Sequence, residues 1–158
     1  MDGRGHAATF GEIMVRLSAP DGVRLAHARS LELTYGGGEA NVAASLAGYG
    51  VPARFISRVP ANDLGAGAIG LLRGLGVDTS GISVEPGRLG TYYLETGAAQ
   101  RPSRVVYDRA GSCIAVAGAD SYDWPALLAG ASWYHSTGIT PALSAAAAAA
   151  AIAAARAA

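Results

Sequence analysis

The chain has 158 residues, 51% of them hydrophobic, which is enough for one domain with a proper core. Its 12 basic and 12 acidic side chains cancel, giving no support to nucleic-acid or membrane-surface binding. Every basic residue is Arg, so a phosphate loop ending in Gly-Lys-Ser/Thr is excluded; Cys113, the sole cysteine, excludes an internal disulfide and argues against a zinc cluster.

Ala7 to Val15 reads as a first strand, followed by a turn over Ser18 to Gly22. Leu31, Leu33 and Tyr35 alternate with Glu32 and Thr34, as in a strand with one face covered. The run Gly36-Gly37-Gly38-Glu39-Ala40-Asn41 then joins a glycine turn to a helix over Asn41 to Tyr49. Glycines there let backbone approach a ligand, and the free N–H groups of a first helical turn face whatever lies in front. Arg54 to Val59 returns as a strand. Asp63 is placed to cap a helix that runs through Leu72 to Leu75 and closes at Gly76.

A short strand follows at Ile82 to Val84, then two extended segments, Thr91 to Glu95 and Arg104 to Asp108, joined as a long hairpin. Trp133 to Ser136 reads as a buried strand, and Pro141 as the start of a final alanine-rich helix with Leu143 and Ile152 on its sheet-facing side. The strand–helix alternation of the first half predicts an α/β body with a largely parallel sheet, and the two-sided strands predict a small separate β layer. No apolar run before the alanine tract has membrane-spanning length and no signal peptide is evident, so a cytoplasmic location is expected.

Gly65-Ala66-Gly67-Ala68-Ile69-Gly70 has the spacing of a dinucleotide fingerprint. With a cap at Asp63 these glycines fall inside the helix rather than in a turn around pyrophosphate, which makes a dinucleotide-binding domain the weaker alternative.

Several segments together resemble one family. "GGGEANVAASLAGYG" is similar to the N-terminal signature of the ribokinase-like carbohydrate kinases, "FGEIMVRLSAP" to their first strand, and "ARFISRVPANDLG" and "LLRGLGVDTSGI" to the segments that follow. Within the family, "GTYYLE", "RVVYDRAGS" and "HSTGITPALS" most resemble 2-keto-3-deoxygluconate kinases. The resemblance implies a Rossmann-type α/β body with a small β-sheet lid, whose strands lie around 16–35 and 88–112 of a single unit over 1–158. It implies transfer of the ATP γ-phosphoryl group to a primary hydroxyl of a sugar or sugar acid, with Mg2+, and a homodimer formed through the lid.

Gly36, Gly37 and Asn41 match signature positions that contact the sugar; an Asn amide offers hydroxyls both a donor and an acceptor, though it could equally brace the helix start. Tyr92, Tyr107 and Arg109 match positions that line the sugar site from the lid. A guanidinium at Arg109 can grip a sugar carboxylate with two parallel hydrogen bonds; the alternative is a solvated strand Arg paired with Asp108. Arg16 stands where members binding neutral sugars tend to place an Asp, which fits an acidic substrate or a surface Arg at a strand end.

The resemblance also implies what is missing. The family's catalytic base is an Asp in a Gly-Ala-Gly-Asp motif, and Gly118-Ala119-Asp120 lies too early to be it. No catalytic residue and no ATP or Mg2+ ligand is therefore assigned here. The chain is expected to be the N-terminal part of such a kinase, truncated before the C-terminal half and inactive alone. A non-catalytic sugar-binding or oligomerisation module is the other reading.

Overall fold

The computed structural model describes residues 5–158. In chain order the elements are β1 (His6–Phe10), β2 (Met14–Ser18), β3 (Glu32–Gly36), α1 (Gly38–Gly48), β4 (Ala53–Pro60), α2 (Asp63–Gly74), β5 (Ile82–Glu85), β6 (Gly90–Glu95), β7 (Arg104–Asp108), α3 (Cys113–Val116), α4 (Trp124–Leu128), β8 (Ala131–His135) and α5 (Ala145–Ala157). Short 3-10 turns lie at Leu25–His27 and Ala119–Ser121.

Two sheets organise these elements. The first has strand order β5-β4-β1-β8 and is parallel throughout. Phe10 and Ile56 face one side, where Tyr122, Trp124 and the alanines of α5 cover them. Phe55 and Val59 face the other, beneath Ala40 and Ala43 of α1 and Ala68 and Leu72 of α2. Helices on both faces explain why β4 is apolar along most of its length instead of alternating. Phe10 meets the edges of Tyr122 and Trp124, with ring centroids 5.3 and 5.0 Å away.

The second sheet has order β3-β2-β6-β7, with β2 and β6 parallel and both outer pairs antiparallel. This is the small separate layer the alternating segments predict. It is joined to the first sheet by Gly11-Glu12-Ile13, so the single strand expected over 7–15 is in fact two, one in each sheet. The break falls at Gly11-Glu12, but Ile13 and Val15 are nearly as buried as Phe10, and apolar residues on both sides of it do not say that the chain changes sheet.

Other expectations are corrected. The cap of α2 is Asn62, whose Oδ1 accepts from the amides of Leu64 and Gly65 at 3.1 Å; Asp63 is the first helical residue. The final helix begins at Ala145, not Pro141, because Ser144 Oγ accepts from the amide of Ala147 at 2.9 Å and fixes the start. Ile152 points outward, and α5 buries Ala147, Ala150 and Ala154 instead. β8 is not buried: it is flanked only by β1, and Trp133 is 70% exposed. Leu33 of β3 is likewise open on its face.

No helix among the described residues is long and apolar enough to cross a membrane.

Candidate functional site

The glycine turn after β3 closes against the junction of the two sheets. A Cβ on Gly37 would lie 1.9 Å from the carbonyl oxygen of Glu12, so no other residue fits there without moving the backbone. Gly37 is extended and caps α1 without a side chain; the Asn41 amide closes the first turn on the Gly37 carbonyl at 2.8 Å. The helix thus starts three residues before Asn41. The Asn41 side chain makes no hydrogen bond among the described residues and is exposed, so nothing in its surroundings supports a bracing role.

In front of this turn lies a cleft of about 210 Å³ lined by Gly36, Gly37, Asn41, Tyr92, Tyr107 and Arg109, together with Glu12, Met14, Glu39 and Ile139. Tyr92 of β6 and Tyr107 of β7 are direct cross-strand partners, with ring centroids 5.9 Å apart. The guanidinium of Arg109, just past the end of β7, lies 5.3 Å from the Tyr107 ring centroid. Segments far apart in sequence are therefore gathered at one place.

Arg16 is not among them. It pairs in register with Tyr92 but lines a neighbouring hollow of about 440 Å³ with Asp21, Ser30 and Glu32. Its Nε donates to Ser18 Oγ at 3.0 Å. One residue pair along β2 carries it away from the cleft occupied by Met14.

Two carboxylates in the cleft wall were not assigned from sequence. Glu12, 3% exposed, accepts at Oε2 from Arg109 Nε (2.9 Å) and Nη2 (2.5 Å), and at Oε1 from the Ser112 hydroxyl (2.7 Å). Arg109 is thus paired with Glu12, while Asp108 pairs with Arg88. Glu39, 1% exposed, accepts from Thr137 through both its amide and its hydroxyl. The available signal was a Glu inside an apolar run, Gly11-Glu12-Ile13-Met14-Val15, which demands a partner once buried. Nothing local marks Ser112 or Thr137 as that partner.

Other side chains with reactive potential lie elsewhere. His135 ends β8 beside Ala7 and Trp133. Cys113 is buried, and burial pushes its thiol above the usual range. Asp120 sits in the 3-10 turn Ala119–Ser121, a turn that packs on α5. Gly65, Gly67 and Gly70 lie within α2, where Gly65 and Gly67 permit close packing on Pro60 and Tyr35. Among the described residues no group of three or more His, Cys, Asp or Glu is placed to hold a metal ion.

The model of the pfkB family of carbohydrate kinases matches residues 5–158. The chain belongs to that family. It is 42% identical over 136 residues to 2-dehydro-3-deoxygalactonokinase of Haloferax volcanii, covering 86% of this chain and 42% of the relative. Against 2-dehydro-3-deoxygluconokinase of Thermoproteus tenax it is 36% identical over 139 residues. Among solved structures, the 2-dehydro-3-deoxygluconokinase of Thermotoga maritima superposes with a TM-score of 0.86 at 51% identity, covering 89% of this chain and 43% of that one. A putative 2-keto-3-deoxygluconate kinase of Enterococcus faecalis gives 0.89 at 32% identity, covering 96% and 45%. The fold is ribokinase-like, and the chain spans about 42% of the length of the curated relatives it matches.

Proposed function

We propose that this chain supplies the acceptor site of an ATP-dependent kinase acting on a 2-keto-3-deoxy sugar acid, with 2-keto-3-deoxygluconate as the best-fitting substrate. The observation that carries this reading is the placement of Arg109 in the glycine-walled cleft. Glu12 occupies its Nε–Nη2 edge, and among the described residues no acceptor engages Nη1. A sugar carboxylate meets the end of the guanidinium with two parallel hydrogen bonds, which a neutral sugar does not.

The other residues orient the sugar. Gly36 keeps the wall beside the Tyr92 hydroxyl free of a side chain, Gly37 seats the turn against the Glu12 carbonyl, the Asn41 amide both donates to and accepts from hydroxyls, and Tyr92 and Tyr107 cover its apolar face. Arg16 lies outside this cleft and takes at most an indirect part. Holding the primary hydroxyl in line is most of what this half contributes, because phosphoryl transfer depends mainly on positioning and charge stabilisation. The hydroxyl oxygen bonds to the γ-phosphorus as the bond to ADP breaks. The base that takes the hydroxyl proton and the residues that hold ATP and Mg2+ belong to sequence outside these 158 residues.

The second sheet acts as the lid and as the site of homodimer contact. In support, Leu33, Leu17, Tyr93 and Val106 form one continuous row across it, with Leu33 and Val106 exposed. The requirement for ATP is the ground for a cytoplasmic location.

The test is ATP-dependent phosphorylation of 2-keto-3-deoxygluconate, 2-keto-3-deoxygalactonate and D-fructose by the full-length protein and by residues 1–158 alone. Turnover of the sugar acids by the full-length protein only is expected. Turnover by the 158-residue chain, or a preference for fructose, refutes the reading.

A further inference from the structure

We propose that Glu12 is a positioning residue: it fixes the guanidinium of Arg109 for the sugar carboxylate and thereby sets the preference for an acidic substrate without touching it. The inference rests on the sugar-acid reading and adds a residue that reading does not require.

Glu12 lies in the three-residue link between β1 and β2, and Arg109 follows β7, 97 residues later. Both oxygens of Glu12 are engaged, Oε2 by Arg109 and Oε1 by the Ser112 hydroxyl, and the side chain is almost fully buried. Glu12 lines the cleft, but both its oxygens are committed to donors in the cleft wall. A guanidinium has five N–H donors in a rigid fork. Engaging the Nε–Nη2 edge stops rotation about the long side chain and aims the remaining Nη1–Nη2 end.

A second observation points to the same arrangement. A Cβ on Gly90, the first residue of β6, would lie 2.6 Å from Glu12 Oε1 and 3.2 Å from Arg109 Cβ. The φ of Gly90 is not in the left-handed region, so no turn demands glycine here. What the missing Cβ provides is room for the carboxylate between β6 and Arg109. The sugar carboxylate then meets a cation already neutralised by Glu12. Recognition therefore rests on the geometry of the free guanidinium end more than on excess charge, and an Arg109 released from Glu12 loses that geometry.

The experiment is isothermal titration of the full-length protein with 2-keto-3-deoxygluconate, with steady-state kinetics alongside, for Arg109→Ala, Glu12→Gln, the double variant and Ser112→Ala. Glu12→Gln is expected to weaken binding about tenfold and raise KM in parallel, with kcat within about twofold of the parent. In the Arg109→Ala background the same change should shift affinity less than about twofold, since coupled residues are non-additive. Ser112→Ala should weaken binding a few-fold, and it carries the test if Glu12→Gln does not fold. Equal losses from Glu12→Gln with and without Arg109 overturn the positioning role. If Arg109→Ala weakens binding while Glu12→Gln and Ser112→Ala do not, only the positioning role falls. Unchanged affinity in Arg109→Ala overturns both proposals.

Discussion

The carboxylate of Glu39, second residue of α1, accepts hydrogen bonds from the amide of Thr137 at 2.9 Å and from its hydroxyl at 2.6 Å, 98 residues further along the chain. This joins the start of the signature helix to the turn after β8, which presents Ile139 to the cleft. Among the described residues no cation pairs with Glu39; the Thr137 donors and the N-terminal end of α1 face it instead.

Glu39→Ala is therefore expected to cost about 3 kcal/mol, because it removes charge-assisted hydrogen bonds and leaves the Thr137 donors without their acceptor. Glu39→Gln, which keeps one acceptor oxygen, should cost less than half as much. Urea denaturation of the two variants beside the parent measures both values, and equal stability for all three would refute the account.

Gly37→Ala should be more damaging to binding than to folding class. Its Cβ would fall 1.9 Å from the Glu12 carbonyl oxygen, so either the turn or the link carrying Glu12 must shift. A loss of about 2 kcal/mol in stability is expected, with sugar-acid binding abolished in titration. Retention of full affinity would show that the turn is not a wall of the site.

Gly65 and Gly67 of α2 serve packing, and Gly67 tests this. A Cβ there would lie 2.2 Å from the Tyr35 hydroxyl. Gly67→Ala should cost about 1 kcal/mol, and adding Tyr35→Phe should recover most of it, because the clash is with the far end of a side chain. Thermal denaturation of the single and double variants reads this. NAD binding that Gly67→Ala weakens would instead favour the dinucleotide reading.

Asp78 supplies a dependence on acid. Burial raises its pKa, but the Arg54 side chain (2.8 Å) and the Ser80 amide (2.8 Å) outweigh this and hold it at about 2, below the ordinary aspartate value of 3.8. A folded-state pKa lowered in this way adds stability that is fully present above the unfolded value. That stability is lost as pH falls from about 4 towards 2. Asp78 is 43% exposed, so the contribution is small, under about 1 kcal/mol. Asp78→Asn should flatten this part of the stability profile in denaturation experiments between pH 5 and pH 2, leaving the profile above pH 5 parallel to the parent.

Much of the fold was legible because it depends on local chemistry. The β4–α2–β5 succession, the β6–β7 hairpin and the glycine turn into α1 each carry their own periodicity or turn residues. Local signals fail where two neighbours compete for one role. Asn62 and Asp63 are both good caps, and the chain's approach to α2 selects the first. Pro141 and Ser144 both suit a helix start, and the Ser144 hydroxyl, held also by the Ala115 carbonyl at 2.5 Å, decides it.

The sequence by itself determined the alternation of strands and helices, the absence of a lysine phosphate loop and the resemblance that places Gly36, Gly37, Asn41, Tyr92, Tyr107 and Arg109 in one set. Tertiary structure alone decided that the opening apolar run is shared between two sheets, that Arg16 stands in the next hollow, and that Glu12 and Glu39 brace the cleft. The physical reason is the same in each case. Whether a buried carboxylate is tolerated, and what it holds, depends on donors about a hundred residues away, and no local pattern records which donors the fold will bring to it.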